Sequence, residues 1–184
     1  TFVYAPGAGS NLHDPFGAYA SRALAAQGIA TVRFQFPYME AGRRGPDRPA
    51  VLEATWLAVI DAVHDGETRL AVGGRSMGGR IASLVLAHGA PADALALFAY
   101  PLHPPGKPDQ LRVDHFASIK VPALFVSGTR DAFGSPDELR AATKSLKRSK
   151  LHLLDGADHG FAVPKSSGRP RDDVWAEAVA AFTA

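Results

Sequence analysis

The chain has 184 residues, 46% of them hydrophobic and 21% charged. That is the length of about one domain and the balance of a globular protein, which excludes disordered and fibrous classes. A net charge of +2 is too small to make a nucleic-acid footprint, and no apolar run is long enough to span a bilayer, so neither a nucleic-acid nor a membrane partner is expected. Cysteine is absent. This removes disulfides, thiolate zinc sites and a cysteine nucleophile together, and fits a reducing compartment such as the cytoplasm. The sequence opens at Thr1, so the lack of a leader peptide carries no weight.

In chain order, short apolar runs alternate with helical stretches. Phe2-Val3-Tyr4-Ala5 stops at Pro6-Gly7. Pro15 to Gln27 then places Phe16, Tyr19, Ala20, Ala23 and Leu24 on one helical stripe, and Gly28 ends it. A second run, Ala30 to Phe36, ends at Pro37 and differs from the others in carrying Arg33 and Gln35. A basic, glycine-containing loop from Met39 to Arg48 leads to a helix from Pro49 to His64, with Leu52, Trp56, Val59 and Val63 on its apolar face. Runs at Arg69–Val72, Ala94–Tyr100, Ala123–Val126 and Leu151–Leu154 complete a set of six. Apolar on both faces and bounded by turn residues, they read as buried parallel strands.

Ser135-Pro136-Asp137-Glu138 is a capping box that opens another helix. Lys144, Lys147, Arg148 and Lys150 are expected on the exposed C-terminal face of that helix. The last helix starts near Pro170 and buries Val174, Trp175, Ala178 and Phe182. The rhythm predicts a three-layer α/β/α fold with a mostly parallel sheet of about six strands, as a single domain over 1–184 with no separate cap. Pro101 to Pro122, with five prolines and no clear period, is long for a connection and reads equally as a lid over the site or as a rigid surface loop.

The chemistry concentrates at Gly73-Gly74-Arg75-Ser76-Met77-Gly78-Gly79. It contains Gly-x-Ser-x-Gly between a strand and a helix, the context of a nucleophile elbow. The turn is tight, so a side chain two residues either side of the serine would strike a neighbouring strand or helix. A serine nucleophile needs a base, and the base needs an acid to orient it. Asp131 follows the fifth run in Ser-Gly-Thr-Arg-Asp, and His159 follows the sixth in Asp-Gly-Ala-Asp-His-Gly. Both lie past the carboxyl ends of strands, where open α/β sheets place their sites, and in the chain order serine, acid, histidine. Asp155 and Asp158 are rival acids by proximity, with Asp131 favoured on strand-end placement. Two amides are needed for the oxyanion. Met77 follows the nucleophile, and Ala8 lies in the glycine-rich loop after the first run. Tyr38 and His103 lie on loops expected to border the pocket. Arg43, Arg44 and Arg48 would attract an anionic substrate or simply be solvated. No metal or cofactor is expected.

Together these segments resemble the α/β-hydrolase superfamily, and within it the small dienelactone-hydrolase-like group that includes the domain of testis-expressed and NSL-complex subunit 3-like proteins. The resemblance runs over nearly the whole chain. It rests on Ala5–Ser10, Arg33–Met39, Gly74–Gly79, Tyr100–Pro108, Gly128–Asp131 and Asp158–Gly160. It implies hydrolase activity with Ser76, Asp131 and His159 as triad, and names no substrate. Two features depart from the pattern. Pro6-Gly7 stands where many hydrolases have His-Gly, and serine stands where dienelactone hydrolases proper have cysteine. The two leading antiparallel strands of the full fold are not apparent. The expected activity is hydrolysis of an ester, thioester or related small acyl compound, and the competing expectation is a non-catalytic interaction module on the same fold.

Overall fold

The six apolar runs become six strands, and a computed structural model describes all 184 residues, Thr1–Ala184. The strands are β1 (Phe2–Ala5), β2 (Thr31–Arg33), β3 (Ala71–Arg75), β4 (Ala94–Phe98), β5 (Ala123–Gly128) and β6 (Ser149–Leu154). They form one six-stranded sheet in the order β2-β1-β3-β4-β5-β6, and every pairing is parallel. The helices are α1 (Pro15–Ala25), α2 (Pro37–Glu40), α3 (Pro49–Val63), α4 (Met77–Ala87), α5 (Pro136–Thr143) and α6 (Arg171–Thr183).

Because side chains alternate across a strand, the sheet buries two separate apolar clusters. Val3, Ala5, Val72, Leu95, Leu97 and Phe125 face α3, α4 and α5, where Leu52, Trp56, Ile60, Ile81, Val85 and Leu139 complete a cluster of 24 buried residues. Phe2, Tyr4, Ala96, Phe98, Val126 and Leu154 face α1 and α6 in a second cluster of 17. Aromatic edges meet there: Phe16 packs against Phe98, Phe161 and Trp175. This is the expected three-layer α/β/α arrangement.

Three expectations are corrected. The third run, read as Arg69–Val72, is a strand over Ala71–Arg75 that continues through Gly73 and Gly74 into the elbow. The second run is a strand only over Thr31–Arg33. It is an edge strand with β1 as its single partner, and the chain leaves the sheet before Pro37, which lacks the N–H a ladder needs. Its polar residues serve the neighbouring loop instead. Arg33 Nη1 donates to the Leu12 carbonyl at 2.9 Å, and Gln35 Oε1 accepts from the Leu12 amide at 3.1 Å. The capping-box helix ends at Thr143, so Lys144 is its C-cap and Lys150 belongs to β6.

The segment from Pro101 to Pro122 is fastened to the body at several points. The His103 amide donates to the Phe133 carbonyl at 3.1 Å, and the Arg112 amide to Leu102 at 2.9 Å. Tyr100 Oη donates to the Arg112 carbonyl at 2.6 Å, and Phe116 is fully buried in a short 3-10 turn, Phe116–Ser118. His115 Nε2 lies 2.7 Å from Ser83 Oγ on α4. Burial, followed by the charges of Arg80 and His88, lowers the His115 pKa to about 4, with the Asp114 carboxylate pulling the other way.

Two predictions follow from the packing. A Cβ on Gly78 would lie 2.3 Å from the Ala5 carbonyl oxygen, whereas one on Gly9 meets nothing within 4 Å. Gly78→Ala should therefore cost about 3 kcal/mol or more in urea unfolding, and Gly9→Ala less than about 1 kcal/mol. Folded His115 refuses a proton that the unfolded chain accepts, so stability should fall as pH drops through the window from about 6.5 to about 4. His115→Gln should flatten the fall in urea midpoint between pH 7 and 4.5, and an unchanged slope would contradict the assignment.

Candidate active site

The elbow is built by close backbone approach. Gly74 has φ 153°, and a Cβ there would lie 2.1 Å from the Ala5 carbonyl oxygen. With Gly78 equally bare, the turn between β3 and α4 presses against the end of β1. Ser76 between them is held at φ 49°, ψ −118°, a conformation that non-glycine residues adopt only where the surrounding structure enforces it. Its amide donates to the Phe98 carbonyl at 2.8 Å, and Trp56 Nε1 on α3 ties down the Gly78 carbonyl at 3.1 Å.

The other two sequence-predicted residues converge on Ser76. His159 Nε2 lies 2.9 Å from Ser76 Oγ, and His159 Nδ1 lies 2.8 and 3.0 Å from the two carboxylate oxygens of Asp131. Because Asp131 only accepts, Nδ1 carries the ring proton and Nε2 presents a lone pair to the serine hydroxyl. Asp131 is buried and also accepts the Phe133 amide at 2.8 Å. The Phe133 ring stacks on the imidazole with centroids 4.0 Å apart and planes 27° apart, which fixes the ring plane. The rival acids are engaged elsewhere. Asp158 accepts the amides of Gly160 and Ala162 within its own turn, and Asp155 meets Thr129.

Ser76, Met77 and His159 open into a cavity of about 640 Å³, together with Gly7, Ala8 and Gly9 of the first loop. A Cβ on Gly7 would lie 3.5 Å from that of Ser76, so the loop passes directly beside the serine. Neither the Ala8 nor the Met77 amide donates to a protein carbonyl, and both border the cavity at the N-terminus of α4, where the helix dipole favours negative charge.

Tyr38 and His103 are placed otherwise than expected: both are buried and neither lines the cavity. His103 Nδ1 is 2.8 Å from the Pro104 carbonyl, and its Nε2 is 3.5 Å from Glu138. Tyr38 Oη donates to the Ala8 carbonyl at 2.8 Å and so props the first loop from behind. Burial, and then the Asp47 carboxylate, raise the Tyr38 pKa to about 12, which keeps it a donor. Arg44 and Arg48 are exposed, and Arg43 pairs with Asp47 at 2.5 Å. Of segment 101–122, only Pro101 and Arg112 border the cavity, so this stretch supplies wall.

Sequence reasoning missed Asp14, Arg75, Arg80, Arg112 and Phe133. Asp14 caps α1 by accepting the Gly17 amide at 2.8 Å, and it also accepts the Tyr4 hydroxyl. The Asp-Pro step before a helical stripe signals that cap. Arg75 Nη1 lies 3.7 Å from Asp14, its Nη2 donates to the His159 carbonyl at 3.2 Å, and its guanidinium lies 5.7 Å from the centre of the Phe161 ring. No three His, Asp or Glu side chains gather as a metal ion would need.

A family model described as an alpha/beta hydrolase domain matches residues 1–184. Solved structures share the fold. The Est1E protein from Butyrivibrio proteoclasticus, solved with ferulic acid, is 16% identical with a TM-score of 0.74, over 100% of this chain and 89% of that one. An alpha-beta serine hydrolase homologue from Coxiella burnetii is 20% identical with a TM-score of 0.75, over 97% and 83%. A monoacylglycerol lipase from Paleococcus ferrophilus is 15% identical with a TM-score of 0.73, over 98% and 94%. With its parallel sheet, its elbow after β3 and a family match over its whole length, the chain belongs to the α/β-hydrolase domain family.

Proposed function

We propose that this hydrolase is a serine hydrolase of esters, thioesters or related small acyl compounds, working through an acyl-enzyme. The observation that carries the reading is the unbroken line from Asp131 through His159 to Ser76, at 2.8 and 2.9 Å, ending in an open cavity. Ser76 Oγ attacks the acyl carbonyl as its proton passes to His159 Nε2. Negative charge collects on the carbonyl oxygen, within reach of the Ala8 and Met77 amides. The tetrahedral intermediate collapses, and His159 returns the proton to the departing alcohol or thiol. Water then attacks the acyl-serine by the same route, with His159 as base, releasing the acid and restoring Ser76. Asp131 holds the ring in the required tautomer and stabilises the imidazolium, and the Phe133 stack keeps its plane.

The six segments that resemble the small dienelactone-hydrolase-like group support placing the chain there, as a single domain over 1–184 acting on a diffusible substrate, and the absence of cysteine fits a reducing compartment such as the cytoplasm. Serine in place of cysteine argues for esters or thioesters over dienelactones.

The test is hydrolysis of 4-nitrophenyl esters of short acids. Ser76→Ala should lower kcat by about five to six decades and Asp131→Asn by about four, with circular dichroism unchanged. Ser76→Ala with activity near wild type would remove the reading. Tyr38→Phe frees the Ala8 carbonyl and loosens the loop without touching the acyl group, so kcat should drop about tenfold with KM little altered. A change confined to KM would place Tyr38 in binding instead.

A further inference from the structure

The cavity beside Ser76 holds more positive charge than its own carboxylate balances. Arg75, Arg80 and Arg112 all border it, against Asp14 alone. Arg75 and Asp14 are already committed, to each other, to the His159 carbonyl, to Tyr4 and to the Gly17 amide. Arg80 and Arg112 are not. The chain's arginine ion pairs join Arg43, Arg75, Arg140 and Arg169 to carboxylates, and include neither of these two. Arg80 lies one helical turn beyond the nucleophile, its amide donating to the Ser76 carbonyl at 3.0 Å. Arg112 makes a single side-chain bond, to the Pro101 carbonyl at 3.2 Å.

Both arginines are half-buried. Burial and the neighbouring charge of Arg80 lower the pKa of Arg112. Two partly buried cations bordering one cavity cost free energy unless an anion joins them. The chain nevertheless builds this arrangement with care. The Arg112 backbone is pinned through both its amide and its carbonyl, and His115 clamps the same segment to α4. A planar guanidinium with free donors is suited to gripping a carboxylate or phosphate through paired hydrogen bonds.

We infer that Arg80 and Arg112 form an anion subsite, and that the preferred substrate carries a carboxylate or phosphate on the part of the molecule lying across the cavity from the scissile acyl carbon. This rests on the serine-hydrolase reading and names the substrate class for it. The basic loop Arg43–Arg48, noted in the sequence, is not this subsite, since none of its arginines borders the cavity.

The test compares 4-nitrophenyl esters of matched length: the neutral pentanoate, the glutarate half-ester, its phosphonate-terminated analogue and a trimethylammonium-terminated analogue. Wild type should favour one of the two anionic esters over the neutral one by tenfold or more in kcat/KM, and the better of the two identifies the anion. Arg80→Gln and Arg112→Gln should each reduce that preference ratio by about ten- to a hundredfold, and Arg112→Glu should move it toward the cationic ester. A second measurement leaves both arginines in place. About 10 mM glutarate, or the matching phosphonate, should raise the Tm of Ser76→Ala by several degrees, and neutral glutaramide should not. Equal turnover of neutral and anionic esters, with no such rise in Tm, overturns the subsite and leaves the hydrolase standing. No turnover of any ester by wild type overturns both.

Discussion

The active site depends on one close contact, between the elbow after β3 and the end of β1. Two glycines, Gly74 and Gly78, lie where any Cβ would come within 2.3 Å of the Ala5 carbonyl oxygen. Only their lack of side chains lets the backbone turn there, and that turn puts Ser76 at a positive φ with its hydroxyl over the sheet. The same closeness puts the first loop beside the serine, with Gly7 against its Cβ and the Ala8 amide next to the cavity. Opening this contact by an ångström would separate the nucleophile from His159 and from the oxyanion amides together.

Around that contact, the surrounding polar groups are spent on holding loops. Asp14 joins the cap of α1 to Tyr4 in the sheet, and Arg75 joins Asp14 to the loop that carries His159. Arg33 and Gln35 pin the Leu12 turn, and Tyr38 pins the Ala8 carbonyl. These bonds keep the first loop and the histidine loop in fixed relation to the elbow. Such preorganisation lets an oxyanion meet donors that are already in place, with no reorganisation at the moment of reaction. Burial raises the Tyr4 pKa well above its ordinary value, and the Asp14 carboxylate adds to this, so the Tyr4–Asp14 bond keeps its proton through the neutral range.

Much of this was legible in the sequence because it is local. Six apolar runs give six strands, and the Gly-x-Ser-x-Gly turn announces its own geometry. Strand-end placement distinguished Asp131 from Asp158, whose bonds lie within its own turn, and from Asp155, which accepts from Thr129 on the neighbouring loop. What was not legible depends on distance in the sheet. That Ala30–Phe36 would pair only over Thr31–Arg33 follows from its place at the edge, which periodicity does not reveal. Tyr38 and His103 lie on the loops expected to approach the site, yet their rings turn inward to meet the partly buried carbonyls of Ala8 and Pro104. Arg80 and Arg112 are separated by 32 residues of sequence and border one cavity only because segment 101–122 folds back over α4. The arginines of the Met39–Arg48 loop, read from sequence as either an anion attractor or a solvated face, are left in solvent by the fold.

The central claim is that Ser76 is an activated nucleophile. Its most direct test is treatment of the folded protein with a fluorophosphonate probe, followed by mass spectrometry to locate the adduct. The account predicts one adduct per chain, on Ser76, absent from Ser76→Ala and much slower to form in His159→Ala. An unlabelled folded protein, or label placed on another residue, would contradict it.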